Sequence, residues 1–135
     1  MKLPLFVSNH DERRLRWLIE ARRHSTRAPA DRDQLNRLAA ELDRAHILPE
    51  HEMPPDAVRL GSRVEAEDLE DGEIFTVTPV LPQEADVSHG RISILAPLGV
   101  GLLGYRVGNE FEWPVPGGIL RLRILRILNV ADGRA

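Results

Sequence analysis

The sequence has no cysteine, a single lysine and only six aromatic residues among its 135 positions. The lack of cysteine excludes disulfide bonds, thiolate metal sites and thiol catalysis. No charge-free apolar run reaches the roughly 18 residues that a transmembrane helix needs. The apolar patch within residues 1–14 is too short for a signal peptide, so we expect a cytoplasmic protein that contacts no membrane.

The overall composition is typical of a folded globular chain, with 42% hydrophobic and 29% charged residues. The length suits one ordinary domain or two small ones. Residues 1–55 carry a net charge of +1 and residues 56–135 a net charge of −4. The total of −3 provides no general attraction to nucleic acid.

Residues 8–23 are predicted to form a helix. Ser8 or Asn9 can cap its start, with Asp11 or Glu12 as the reciprocal partner three residues further on. Apolar side chains recur at helical spacing and define the buried face. These residues are Leu15, Leu18 and Ile19, with the aliphatic stem of Arg22.

A second helix is predicted over residues 31–47, after the break at Pro29, and Pro49 stops it. Its apolar stripe consists of Leu35, Leu38, Ala39, Leu42 and Ala45. Two amphipathic helices with a short connector form an antiparallel hairpin. With about 15 residues in each helix, the hairpin is about 22 Å long.

Residues 49–58, "PEHEMPPDAV", contain three prolines and are predicted to be a stiff linker. We place a boundary near residue 55. The hairpin and its linker then occupy residues 1–55, and a second domain occupies residues 56–135.

Beyond the linker the hydrophobic period changes to two, which indicates strands. Strands are predicted at "SRVEAED", "EIFTVTP", "GRISILAP" and "GGILRLRILRILNV". In the last strand Arg126 breaks the alternation, which predicts a bulge near Ile124 and Leu125. The expected fold is α+β: the hairpin followed by an antiparallel sheet with one short helix at residues 98–103.

Residues 94–118 contain six glycines and three prolines within an apolar segment. Pro97 ends a strand, Gly104 caps the short helix in a left-handed conformation and Gly108 precedes a further strand. Residues 116–118, "PGG", form a hairpin turn. No dinucleotide fingerprint and no phosphate-binding loop can be drawn from these glycines.

The segment "ISILAPLGVGLLGYRVGNEFEWPVPGG" resembles the signature of the C-terminal domain of Gre transcript-cleavage factors. Within that superfamily, "AELDRAHILPEHEMPPDAVRLGSRV" and "DGE" at residues 71–73 resemble the regulator of nucleoside diphosphate kinase (Rnk) family more closely. The resemblance covers nearly the whole chain. The residues that it marks as structural are Pro97, Gly99, Leu103, Gly104, Gly108, Pro116, Gly117 and Gly118.

The resemblance implies a helical hairpin joined to a domain similar to FK506-binding proteins. It also implies that the partner is RNA polymerase, bound near the secondary channel. Any association with DNA would then be indirect, through polymerase. In Gre factors a long coiled coil carries acidic tip residues that help to hold magnesium. Rnk-type proteins carry a shortened hairpin and are regarded as binders of the same entrance, where they would compete with Gre-type factors.

Two features depart from the cleavage factors. The hairpin is short for a deep channel, and "RRHSTRAPADRD" lacks an exposed Asp-x-x-Glu pair. Asp31 and Asp33 fit a helix cap and first turn instead. Without a carboxylate pair no metal ion is recruited. We therefore predict no cleavage, no enzymatic activity and no cofactor.

Two groups of residues are candidates for partner binding. The charged group at the hairpin tip could meet polymerase or could simply be solvated: Arg23, Arg27, Asp31, Arg32 and Asp33. The apolar group could be a docking surface or core: Leu98, Val100 and Leu102. A cluster of His46, Glu50, His51 and Glu52 lies in a proline-containing linker without the fixed geometry of a metal site.

Three further alternatives remain open at this point. A prolyl isomerase would share the implied fold but needs an aromatic-lined apolar pocket, and fold alone does not carry function. A direct protein regulator of a nucleotide-metabolising enzyme, such as nucleoside diphosphate kinase, is not excluded. The apolar stripes of the hairpin could also pair between chains, which allows a homodimer.

Overall fold

The computed structural model describes residues 3–25 and 28–129. The first helix, α1, spans Asn9–Arg23 and follows a short strand, β1, at Phe6–Ser8. Ser8 is the N-cap, because the Asp11 backbone N–H donates a 3.0 Å hydrogen bond to the Ser8 hydroxyl oxygen. The predicted cap is confirmed, and the predicted stripe of α1 is buried at Leu15, Leu18 and Ile19, whereas Arg22 is exposed.

The second helix, α2, spans Pro29–Arg44 rather than the predicted 31–47. Pro29 begins the helix because the first helical position needs no N–H donor and favours the fixed dihedral of proline. Ile47 lies instead in a strand, β2, at His46–Leu48. The stripe of α2 is buried at Leu35, Leu38 and Leu42.

The strands β1 and β2 pair in parallel across the open end of the hairpin, which the sequence did not indicate. Phe6 lies opposite His46, and their rings stack with centroids 5.3 Å apart. The Phe6 N–H also donates to the Gly104 carbonyl oxygen at 3.0 Å. This small sheet therefore ties both ends of the hairpin to the segment after the third helix.

The main sheet has five strands in the order β5-β4-β3-β7-β6. Their ranges are Val64–Asp68 (β3), Ile74–Val80 (β4), Arg91–Ser93 (β5), Glu110–Val115 (β6) and Gly118–Ile127 (β7). All neighbours are antiparallel except β4 and β5, which run parallel. The prediction of a purely antiparallel sheet was wrong at this edge, because residues 81–90, the crossover loop, carry the chain back before β5 begins.

The predicted bulge in β7 is confirmed by the register against β3. Glu65 lies opposite Arg126 and Ala66 opposite Ile124, so Leu125 is the extra residue. The bulge restores the phase, and both Leu122 and Ile124 stay fully buried.

The third helix, α3, spans Pro97–Leu102 and begins with its proline. Gly104 follows it at φ +84°, Gly108 has φ +90° and Gly117 has φ +91°. These are left-handed conformations that favour glycine, as the sequence predicts for the helix cap and the two turns.

The hairpin packs on the sheet and does not extend free from it. Leu15 and Leu38 belong to the same buried cluster as Leu60, Ile94 and Val100. The linker also packs, since the Val58 N–H donates to the Tyr105 carbonyl oxygen at 2.8 Å. The boundary near residue 55 stays a prediction. Across the described residues, no helix has the length and apolar character needed to cross a membrane.

Candidate partner-binding surfaces

The hairpin tip, residues 22–33, presents charged side chains to solvent. Arg23 lies in the last turn of α1 and is exposed, as are Asp31, Arg32 and Asp33 at the start of α2. Arg27 lies outside the described residues. Cations at a helix C-terminus and an acidic residue at a helix N-terminus both interact favourably with the helix dipole. Arg23 and Asp31 therefore have a local structural role whether or not a partner contacts them.

The two tip carboxylates do not form a pair. Asp31 and Asp33 are two residues apart on α2, and side chains at that spacing point to different faces of a helix. The N-cap of α2 is Ala28, so Asp31 lies in the first turn and does not cap the helix. Within the described ranges, no group of three or more acidic, histidine or cysteine residues has the geometry to hold a metal ion.

The apolar candidates of the second domain lie mostly in the core. Val100 is 1% exposed and Leu102 is 0% exposed, whereas Leu98 is half-buried. The interpretation of Val100 and Leu102 as docking residues is therefore corrected, because their side chains do not reach the surface. Helix α3 points them inward, against the hairpin and the sheet.

The glycines of α3 permit its close approach to neighbouring strands. A Cβ at Gly99 would lie 2.4 Å from the Ser93 carbonyl oxygen. A Cβ at Gly101 would lie 3.0 Å from the Trp113 ring, and one at Gly104 would lie 3.2 Å from Leu5. These three glycines of the apolar segment are therefore required for close packing of α3 against its neighbours.

The base of the hairpin is held to the second domain by a buried carboxylate. Asp11 is 1% exposed, and its Oδ1 accepts a 2.6 Å hydrogen bond from the Arg14 guanidinium. Its Oδ2 accepts from the Leu60 backbone N–H at 3.2 Å and lies 4.0 Å from Arg59 Nε. The sequence suggests Asp11 only as part of a helix cap. Its contact with the loop after the linker exists only in the folded chain.

A second ion pair supports the same junction. Arg59 donates to the carboxylate of Glu50, in the turn that follows β2. Burial raises the pKa of Glu50, but hydrogen bonds from Arg59 and Ser8 and the charge of Arg59 outweigh burial and hold the pKa below its ordinary value. The ionised form of Glu50 is therefore favoured in the folded protein.

The contribution of Glu50 to stability is expected to disappear in acid. Because its folded pKa is depressed, the contribution is present above the unfolded pKa and is lost as pH falls through the folded value. The Glu50 side chain is 41% exposed, so the effect is less than about 1 kcal/mol. Melting curves of wild type and Glu50→Gln should differ at pH 6 and converge as the pH falls through the folded pKa of Glu50, which lies below its ordinary value. A difference that persists in acid would contradict this role.

Arg44 connects the end of α2 to the sheet domain. Its guanidinium donates to the Leu3 carbonyl oxygen at 2.8 Å and to the Tyr105 hydroxyl at 3.2 Å, and it also pairs with Glu41. Burial raises the pKa of Tyr105, and the Glu41 charge raises it further. The tyrosine therefore stays protonated and continues to accept from Arg44.

A polar cleft of about 1080 Å³ lies between the first turns of α1 and the crossover loop. Its charged lining residues are Arg13, Arg14, Glu50, Arg63, Glu84, Asp86 and Arg91, and the histidines His10 and His89 line it as well. Asp86 contacts His89 at 2.7 Å, and hydrogen bonds from Ser88 and His89 lower the pKa of Asp86. These residues are distant in sequence, so the cleft could not be predicted from any motif.

A smaller and more apolar groove of about 400 Å³, the Trp17 groove, adjoins the cleft. Its lining residues are His10, Arg13, Arg14, Trp17, Leu18, Leu81 and Gln83. The Trp17 side chain is 72% exposed. The sequence does indicate that Trp17 is exposed, because Trp17 lies off the apolar stripe of α1. The groove itself also requires Leu81 from the crossover loop, which no local pattern indicates.

A third cavity of about 540 Å³ lies between α2 and β6 and contains the aromatic residues Tyr105, Phe111 and Trp113. The Tyr105 and Phe111 rings stack with centroids 4.7 Å apart. The same cavity is lined by charged side chains, namely Arg37, Glu41, Glu110 and Glu112. Aromatic and charged side chains therefore share the wall of this cavity.

Two family models match successive parts of the chain. The model of the GreA/GreB transcription elongation factor C-terminus matches residues 53–129, and the model of the Rnk N-terminus matches residues 4–48. The chain is 38% identical over 120 residues to the regulator of nucleoside diphosphate kinase of Escherichia coli (strain K12), covering 88% of this chain and 85% of that protein. It is 39% identical over 95 residues to the transcription elongation factor GreA of Alkaliphilus oremlandii (strain OhILAs), covering 70% and 60% respectively.

Solved structures agree with the family models. A prokaryotic transcription elongation factor GreA/GreB from Nitrosomonas europaea matches with a TM-score of 0.73 and 38% identity, covering 95% of this chain and all of that one. The Gfh1 protein of Thermus aquaticus matches with a TM-score of 0.50 and 27% identity over 93% of this chain and 99% of that one.

The helical hairpin, the mixed sheet and the glycine-rich α3 define an α+β protein of the Gre type. Members of this class bear the names of elongation factors and regulators. Within it, this chain belongs to the regulator of nucleoside diphosphate kinase (Rnk) family, as its sequence motifs predict.

Proposed function

We propose that this protein binds RNA polymerase near the entrance of the secondary channel and regulates transcription without cleaving the transcript. Membership of a family that shares its C-terminal domain with elongation factors carries this proposal. The sheet domain would dock on polymerase, and the hairpin would obstruct the entrance. A cytoplasmic location follows from that partner.

The geometry of the hairpin supports an obstructing role. Its helices have 15 and 16 residues, which corresponds to about 22–24 Å. Asp11 contacts Leu60 and Arg44 contacts the Tyr105 hydroxyl, so the base of the hairpin is fixed on the sheet domain and the charged tip is held at a defined distance from it. We propose that Arg23, Arg27, Asp31, Arg32 and Asp33 contact polymerase.

The tip carboxylates support the absence of cleavage. Metal-assisted hydrolysis needs oxygen ligands that converge on one ion. Asp31 and Asp33 diverge on α2, so they offer no such convergence. This protein would therefore displace a cleavage factor without replacing its chemistry.

Competition with a Gre cleavage factor is the direct test. Core polymerase carrying a labelled cleavage factor is titrated with this protein, while cleavage of backtracked transcripts is followed. Because both proteins would occupy the same entrance, the amount of labelled factor bound to polymerase and the rate of transcript cleavage should decrease together by mass action. No change at tens of micromolar would overturn the proposal.

Two tip variants and one control variant test whether the tip contacts polymerase. Arg23→Glu and Asp33→Arg alter exposed tip residues, whereas Glu70→Lys alters an exposed turn between β3 and β4. The tip variants should displace the labelled cleavage factor several-fold more weakly than the wild type, because charges at the rim of an interface steer association. Equal displacement by all three would show that the tip makes no contact.

A direct regulator of nucleoside diphosphate kinase is the second candidate, supported by the name of the Escherichia coli relative. Co-purification of the kinase in the absence of polymerase would favour it. A homodimer needs a surface other than the apolar stripes, since both stripes are buried within the chain.

A further inference from the structure

We infer that the polar cleft and the Trp17 groove together bind an acidic peptide segment of a partner protein. The segment would place one large apolar side chain in the groove and its carboxylates along the cleft. This surface lies at the base of the hairpin, so its occupation does not depend on the tip contacts proposed above.

The arginines that line the polar cleft indicate that its ligand is negatively charged. Many surface arginines of this protein have a carboxylate partner, for example Arg126 with Glu65 at 2.7 Å. The guanidinium groups of Arg13, Arg63 and Arg91 have no ion pair within residues 3–25 and 28–129, although all three line one cleft. Three such groups around one depression favour a ligand with several negative charges.

The exposed indole ring of Trp17 indicates that the ligand also has an apolar part. Trp17 is 72% exposed, whereas the other tryptophan, Trp113, is 8% exposed. Trp17 borders a groove that contains Leu18 and Leu81, with room for one aromatic or branched side chain. Tryptophan and arginine are the residue types that contribute most to binding at protein interfaces.

The two depressions are continuous. His10, Arg13 and Arg14 line both of them, so cationic groups border the apolar groove directly. A ligand that fills both must therefore carry a carboxylate beside its apolar side chain. Their shared edge on α1 turns two shallow features into one extended surface that suits a strand or turn of peptide.

A protein segment fits this surface better than a nucleic acid strand. Glu50, Glu84 and Asp86 line the same cleft and would repel a continuous phosphate backbone. The net charge of −3 also opposes a polyanion at long range. A peptide can avoid these carboxylates because its charges are separate.

Selection from a random peptide display library tests the inference. The bait is the full chain, and the comparison baits are Trp17→Ala and the double variant Arg13→Glu with Arg91→Glu. We expect the wild type to enrich peptides with carboxylates beside one large apolar residue, and both comparison baits to lose that enrichment. The control bait Arg121→Glu, which alters an exposed position of β7 outside both depressions, should retain it.

Binding of a selected peptide is then measured by the fluorescence of Trp17, in a Trp113→Phe background whose melting curve shows that it is folded. The double arginine variant should bind at least about tenfold more weakly, and affinity should fall with added salt. Enrichment of basic peptides, enrichment that survives both comparison baits, or tighter binding of an oligothymidylate strand would each overturn the inference. The polymerase competition assay tests the proposed function separately.

Discussion

Replacing Asp11 with alanine is expected to lower the free energy of unfolding by about 2–3 kcal/mol, because it removes a buried carboxylate and leaves a buried backbone N–H without its acceptor. The Leu60 N–H loses its acceptor, and Arg14 and Arg59 lose the carboxylate between them. For a chain of this size the midpoint of thermal unfolding should fall by about 10 °C. Denaturant titration and calorimetry both measure the change.

Asp43→Ala is the matched control. Asp43 is 71% exposed and pairs with Arg16 on the surface, so its loss should cost no more than about 1 kcal/mol. Asp11→Asn keeps an oxygen acceptor for Leu60 but loses the charge, and we expect an intermediate loss of stability. If Asp11→Ala and Asp43→Ala cost the same, Asp11 does not hold the hairpin to the sheet domain.

The second large effect is expected at Gly99. A Cβ there would lie 2.4 Å from the Ser93 carbonyl oxygen and 2.9 Å from the Ile94 Cα, and both atoms are backbone. Helix α3 or the end of β5 must therefore shift. Gly99→Ala should lower the free energy of unfolding by about 2 kcal/mol or more, even though alanine favours the helix by about 1 kcal/mol. Thermal and denaturant unfolding measure this loss.

Gly101→Ala separates the clash from a general effect of replacing glycine in α3. The added Cβ would contact the Trp113 side chain at 3.0 Å, and a side chain can adjust where backbone cannot. A loss below about 1 kcal/mol is expected, with a change in the near-ultraviolet circular dichroism of Trp113. Equal losses at the two positions would show that backbone contact with Ser93 is not the cause.

Local signals predicted most of the secondary structure. The cap at Ser8, the stripes of both helices, the left-handed glycines and the bulge at Leu125 all depend on residues within a few positions of one another. The strands β1 and β2 were missed because three residues are too few for a period to show. The parallel pairing of β5 was missed for a different reason, since strand direction depends on the path of the crossover loop.

Prediction of the binding surfaces was less complete. The exposed charges of the hairpin tip follow from sequence, because a turn between two amphipathic helices must face solvent. Val100 and Leu102 were ambiguous, since an apolar residue in a six-residue helix can lie inside or outside. The polar cleft depends on residues from α1, the linker and the crossover loop, whose proximity no local pattern expresses.

The sequence alone determined the family, the α+β class and the lack of a paired carboxylate at the tip, because these depend on residue identity and short-range spacing. Only the tertiary structure decided that Asp11 is buried against Leu60 and that the Trp17 groove adjoins a cleft lined by Arg13, Arg63 and Arg91. The physical reason is that burial and charge pairing are properties of neighbours in space. Asp11 and Leu60, for example, are 49 residues apart in the sequence.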